Sequence, residues 1–95
     1  MKILCARTGG EEFAILLPDT SLDDALALAE RLRQHVALAH LDWGSQAIGV
    51  TVSVGVSAVA PGDADSQAVL ARADRALYDA KEEGRNRVRC LRPVE

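Results

Sequence analysis

Aromatic residues are nearly absent from this chain of 95 residues; Phe13, Trp43 and Tyr78 are all there are. Three rings do not make a base-stacking platform, which argues against a single-strand nucleic-acid binder. Cationic excess is missing too. The 11 Lys and Arg face 14 Asp and Glu for a formal net charge of −3, whereas a general nucleic-acid surface is basic. Cysteine is limited to Cys5 and Cys90, near opposite ends and without metal-ligand spacing. They read as free thiols of a reducing cytosol, with a disulfide between the two terminal strands as the alternative. No apolar run is long enough to span a membrane. The stretch after Met1 and Lys2 is too short for a secretory leader before Arg7 interrupts it. The expected compartment is the cytoplasm.

What is present suits one small folded domain, residues 1–95. Apolar residues make up 48% and charged residues 26%, enough of the first to fold and too few of the second for a disordered tail. Residues 3–7 and 13–17 read as two strands joined by Thr8-Gly9-Gly10-Glu11-Glu12, a glycine-bearing hairpin connection. Pro18 ends the second strand. Thr20 or Ser21 can cap a helix over 21–39, with Asp23 and Asp24 near the positive end of its dipole. Leu22, Ala25, Leu26, Ala29, Leu32 and Val36 recur on its apolar stripe. Residues 40–46 read as a loop around Trp43 and Gly44.

Residues 48–59 read as one long strand. Val50, Val52, Val54 and Val56 alternate with Thr51, Ser53, Gly55 and Ser57. One face is made for a core. The other is small enough for a helix to press closely against it. Asp65 or Ser66 can cap a second helix over 66–83, with Val69, Leu70, Ala73, Leu77 and Ala80 on its buried stripe. Gly84 stands where a left-handed C-terminal residue belongs. Residues 87–91 form a last short strand. The predicted order is β-β-α-β-α-β, an α+β chain of the α/β-sandwich kind, without repeats or low-complexity segments.

The hairpin tip has the makings of a phosphate site. Gly9 and Gly10 let backbone come close to phosphate oxygens. Glu11 or Glu12 offers the oxygen ligand that Mg²⁺ prefers. Adjacent residues on an extended chain point apart, so one of the two acids faces the site and the other stands beside it or turns away. Lys81, Arg85 and Arg87 gather at and after the end of the second helix, where cations could neutralise phosphate. Each feature also has an ordinary reading, as a polar turn and as cations suited to a helix C-terminus. His35 and His40 have no paired ligand nearby and read as surface or boundary residues, not metal ligands. Trp43 reads as an anchor for its loop.

Three blocks, "RTGGEEFAILLP", "VTVSVGVSA" and "ADRALYDAKEEGRNRV", together resemble the GGDEF family of diguanylate cyclases, in that family's order and spacing. The signature would be Gly9-Gly10-Glu11-Glu12-Phe13, with Glu at the third position. The resemblance implies a partial nucleotide-cyclase-like palm that lacks the family's N-terminal β-α-α. It implies joining of two GTP into cyclic di-GMP across a two-fold dimer, with Mg²⁺ or Mn²⁺. Glu11 would hold the metal and help deprotonate the attacking hydroxyl, and Glu12 would be the second acid of the signature, the two together being the catalytic residues. Gly9 and Gly10 would line the phosphate and ribose, and Lys81 and Arg85 would reach the terminal phosphates.

Departures are also visible. Thr8 stands where the family usually has Tyr, and the feedback Arg-x-x-Asp would put its Asp at Ile3. The family's other metal-binding Asp and its guanine-gripping residues would precede Met1. The strand that separates the signature hairpin from the 48–59 strand is not in this sequence. With two edges left without that partner, the chain is expected either to be a fragment of a longer protein or to fill the gap as a homodimer or oligomer by edge pairing or swapping. As 95 residues the chain is expected to be inactive. The alternative is a degenerate nucleotide-binding or protein-interaction module.

Overall fold

The computed structural model describes residues 4–9 and 12–91; for 4–9, 12–14, 16, 40–43, 47 and 48 it describes backbone alone. The described elements are β1 (Leu4–Gly9), β2 (Glu12–Leu16), α1 (Leu22–Leu38), β3 (His40–Trp43), β4 (Gln46–Gly49), β5 (Val54–Val56), α2 (Ser66–Glu82) and β6 (Val88–Cys90). The order is therefore β-β-α-β-β-β-α-β. This corrects the loop expected over 40–46, which is a second hairpin, and the single strand expected over 48–59.

Both corrections have local causes. β3 and β4 pair antiparallel with Trp43 opposite Gln46, leaving Gly44 and Ser45 as a two-residue connection. Gly44 takes φ 63° there, at the first loop position, which a type II′ hairpin turn gives to glycine. Residues 46–49 are thereby drawn into β4. Downstream, β6 offers only three residues to β5, in parallel register Val54–Val88, Gly55–Arg89 and Val56–Cys90. Residues 50–53 keep the alternation of a strand but have no described neighbour to pair with. Val50 is accordingly 59% exposed, not part of an inward valine face.

Two helices and one parallel ribbon make the centre. β5, α2 and β6 form a βαβ unit, and α1 packs on the same ribbon. Ser21 caps α1 by accepting from the Asp24 N–H at 3.1 Å, and Asp65 caps α2 by accepting from Ala68 N–H at 3.1 Å. The deepest side chains are small: Ala76 and Ala80 on α2 are wholly buried and Ala29 on α1 nearly so. Leu32 and Leu70, expected on the buried stripes, are 44% and 36% exposed. Gly55 explains the alanine-lined interface. A Cβ there would lie 2.1 Å from the Ala73 carbonyl oxygen and 2.4 Å from the Leu77 nitrogen, so α2 backbone rests directly on β5 and no room remains for larger side chains.

A polar latch fixes the start of α2 to the strand. Arg72 donates from Nη1 to Asp63 Oδ1 at 2.6 Å and from Nη2 to Asp63 Oδ2 and to the Ala58 carbonyl at 2.7 and 2.6 Å. Asp63 also accepts from the Ala60 N–H at 2.7 Å, and Ser57 Oγ donates to the Val69 carbonyl at 2.6 Å. Arg72 Nε is buried without a partner among the described residues, which offsets part of the gain. The guanidinium, with help from the Ala60 N–H, holds the Asp63 carboxyl at about 2, well below the usual carboxylate range. A carboxylate with a depressed folded-state pKa stabilises the fold above its unfolded pKa, and that contribution disappears as pH falls through the folded value. The native chain should therefore lose melting temperature between about pH 4 and about pH 2. Arg72→Ala should melt lower at neutral pH and show a shallower fall across the same window. Parallel pH–melting curves for the two proteins would show that the latch is not the cause.

Candidate functional site

Two groups of residues carry the phosphate chemistry expected from the sequence, and they sit on separate elements. The first is the tip of the β1–β2 hairpin. Cys5 faces Ile15, Arg7 faces Phe13 and Gly9 faces Glu12, with a register shift between Arg7 and Gly9. Thr8 is thus the extra residue of a bulge beside the tip, a place where strands often re-aim a side chain. Gly10 and Glu11 lie outside the described residues, and Glu12 is described as backbone at the head of β2. β1 and β2 make no broad contact with α1, α2, β5 or β6.

The second group closes α2. The Gly84 N–H donates to the Lys81 carbonyl at 3.3 Å and the Arg85 N–H to the Ala80 carbonyl at 2.9 Å. With Gly84 at φ 122°, this is a Schellman ending. It turns the chain sharply, so that Arg85 follows Lys81 by one turn yet leaves the helix axis. Lys81 is half-buried and is not a free cation. Arg85 is exposed. Arg87, a third cation on sequence grounds, is occupied: its Nε donates to the Arg85 carbonyl at 3.0 Å and its Nη1 lies 3.7 Å from Glu83 Oε2. Glu83 also pairs with Arg89, and the Arg89 hydrogen bond is the main reason its carboxyl is held below the usual range. The free positive charge at this end is therefore smaller than a count of arginines suggests.

No group of three or more His, Cys, Asp or Glu lies together among the described residues. Cys90 is a free thiol. His35 is exposed in the last turn of α1; the His40 and Trp43 side chains lie outside what is described. No helix of the described residues is long and apolar enough to cross a membrane.

The chain matches the family model for the diguanylate cyclase GGDEF domain over residues 2–87. It belongs to that family. The response regulator PleD of Caulobacter vibrioides is 50% identical over 91 residues, which are 90% of this chain and 19% of that protein. Diguanylate cyclase A of Treponema denticola is 43% identical over 83 residues, 87% of this chain and 22% of that protein. Among solved structures, the active GGEEF domain of a diguanylate cyclase from Vibrio cholerae superposes with a TM-score of 0.87 at 38% identity, covering 99% of this chain and 59% of that one. The GGDEF domain of DgcB from Caulobacter crescentus, solved in complex with c-di-GMP, gives a TM-score of 0.84 at 37% identity, over 92% of this chain and 51% of that one. The chain thus spans about a fifth of these curated relatives and little more than half of these solved chains. As a GGDEF-domain chain with two helices and a parallel two-stranded ribbon, it is a partial α+β cyclase-like palm.

Sequence reasoning missed Asn86 and Arg33 as parts of the turn that follows α2. The signal was available in Gly84-Arg85-Asn86, since Asn, like Gly, tolerates left-handed backbone. The partner on α1 was not, because it lies 53 positions away.

Proposed function

We propose that these residues form the signature-bearing part of a diguanylate cyclase, and that a complete domain built on them condenses two GTP into one cyclic di-GMP. The observation that carries this reading is Gly9-Gly10-Glu11-Glu12-Phe13 inside a family match that runs over residues 2–87. In the reaction, the 3′-hydroxyl of each GTP attacks the α-phosphate of the other. Two P–O bonds form, two break, and two pyrophosphates leave.

Each residue has a part in this proposal. Gly9 and Gly10, without side chains, let the tip backbone approach the phosphates and ribose. Lys81 and Arg85 neutralise the terminal phosphates, and charge neutralisation together with positioning carries most of phosphoryl-transfer catalysis. Glu11 is the metal ligand and Glu12 the second acid. Mg²⁺, or Mn²⁺ in its place, would supply further charge stabilisation. It takes several oxygen ligands, and in this reading the signature offers it the single carboxylate of Glu11, a poor site by itself. A cyclic di-GMP assay with GTP and either metal is therefore expected to give no product from this chain by itself and product from a complete domain carrying it. Turnover by the chain alone would overturn the first expectation, and a silent complete domain would overturn the assignment.

A further inference from the structure

After α2 the backbone passes through three consecutive residues of positive φ, Gly84 at 122°, Arg85 at 65° and Asn86 at 48°. Glycine takes this region freely and asparagine tolerates it, but arginine disfavours it. A disfavoured conformation persists only where its surroundings impose it. Here they do so from three directions. The Arg85 N–H is tied to the Ala80 carbonyl, and its own carbonyl accepts from Arg87 Nε. The Asn86 N–H donates to Ser53 Oγ at 3.1 Å, just before β5. Asn86 Oδ1 accepts from Arg33 Nη1 at 2.9 Å, across from α1.

Arg33 is itself prevented from moving. Its Nε donates to both carboxylate oxygens of Glu30, at 3.0 and 3.1 Å, and Nη2 pairs with the same acid. Its side chain is only 19% exposed. With Nε and Nη2 given to Glu30 and Nη1 given to Asn86, this guanidinium is a strut and not a cation held out for a ligand. Arg85 is the reverse case. Its backbone is gripped on both sides, while its guanidinium makes no hydrogen bond or ion pair among the described residues. A fixed backbone under a free guanidinium is what an anion-binding arginine needs, because part of the ordering cost is met before the ligand arrives.

We propose that Arg33 and Asn86 are positioning residues for Arg85: the bond between them holds the left-handed turn that presents the Arg85 guanidinium to polyphosphate, one turn beyond Lys81. This rests on the reading of Arg85 as a phosphate-binding residue. It adds that a residue of α1, remote in sequence and without contact to the phosphate, governs how well that cation works.

Inorganic tripolyphosphate titrated into the full 95-residue chain, followed by NMR of ¹⁵N-labelled arginine side chains, tests both statements separately. Arg85→Ala should lower the affinity about tenfold or more, the scale of a charge-assisted hydrogen bond. Asn86→Ala and Arg33→Ala should each lower it about fivefold, the scale of one ordinary hydrogen bond. The double variant should be no weaker than either alone, since both remove one bond. Asn86→Asp keeps an acceptor for Arg33 and tolerates the left-handed region, so it should restore native affinity; a merely structural role gives no reason for affinity and acceptor chemistry to follow one another. Urea midpoints recorded in parallel identify any variant that fails to fold, and the Arg33 arm then decides without altering the turn's own sequence. Native affinity in Asn86→Ala and Arg33→Ala alongside a loss in Arg85→Ala would overturn the positioning role and leave Arg85's part intact. Additive losses in the double variant, or no rescue by Asn86→Asp, would also overturn it. Equal behaviour of the native chain and Arg85→Ala, whether both bind or neither does, would overturn the phosphate reading itself.

Discussion

Glu11→Gln in a complete domain should reduce cyclic di-GMP synthesis at least ~100-fold, the scale of losing one group that stabilises transition-state charge. The substitution keeps side-chain length and shape and removes the charge. A neutral amide is a weak ligand for Mg²⁺, which favours charged and hard oxygen donors. It is also no base for an attacking hydroxyl. In the proposed mechanism the loss should fall on turnover more than on GTP affinity, because the proposed phosphate contacts of Lys81, Arg85 and the glycines are untouched and the missing interaction is one made at the reacting centre. Product formation measured against GTP concentration separates the two. Undiminished turnover would remove Glu11 from the chemistry, and a pure loss of affinity would reassign it to substrate binding.

Gly55→Ala should destabilise the chain by about 3 kcal/mol or more, at or above the upper end of ordinary overpacking costs. The added Cβ would meet the Ala73 carbonyl oxygen at 2.1 Å, the Leu77 nitrogen at 2.4 Å and the Leu77 Cα at 2.9 Å. All three are backbone atoms, so no side chain can swing aside. Relief requires moving α2 away from β5, which would open the interface that buries Ala76 and Ala80. Native domains hold only about 5–15 kcal/mol in total, so a loss of this size is a large part of the whole. Urea unfolding of the two proteins gives the comparison directly. A native-like midpoint would mean that α2 shifts at little cost. Since α2 carries Lys81 and leads into Arg85, such a shift would move the cations proposed to bind phosphate as well as the core.

The elements differ in how far they could be read in advance, and the reasons are physical. Helical recurrence is a local property: α1 runs over Leu22–Leu38 where the periodicity predicts 21–39, and α2 over Ser66–Glu82 where it predicts 66–83. Strand extent depends on a partner. Val50, Val52, Val54 and Val56 alternate perfectly, yet only the stretch opposite Val88–Cys90 is paired. The β3–β4 hairpin was hidden because its flanks are weak strand formers; Gly44-Ser45 is a known two-residue turn signal that passed for a loop. The small face of residues 51–57 did carry its message. A glycine between serines suggests a close approach, and the α2 backbone makes that approach at Gly55. The buried stripes were misjudged at Leu32 and Leu70 because periodicity gives a direction and not a depth.

Family membership was legible from residue identity alone. Gly9-Gly10-Glu11-Glu12-Phe13, in order with the two later blocks, specifies backbone access, carboxylate oxygens and cations without reference to any distance. The three-dimensional arrangement decided what those cations are worth. It shows Arg87 occupied by the Arg85 carbonyl and Glu83, Lys81 engaged, and Arg85 exposed on a left-handed turn with no side-chain partner among the described residues. It also shows that turn braced by Arg33 from the first helix. Residue types and their spacing specify which chemical groups exist. Which of them neutralise one another is a matter of long-range contact, and only the folded chain brings those contacts about.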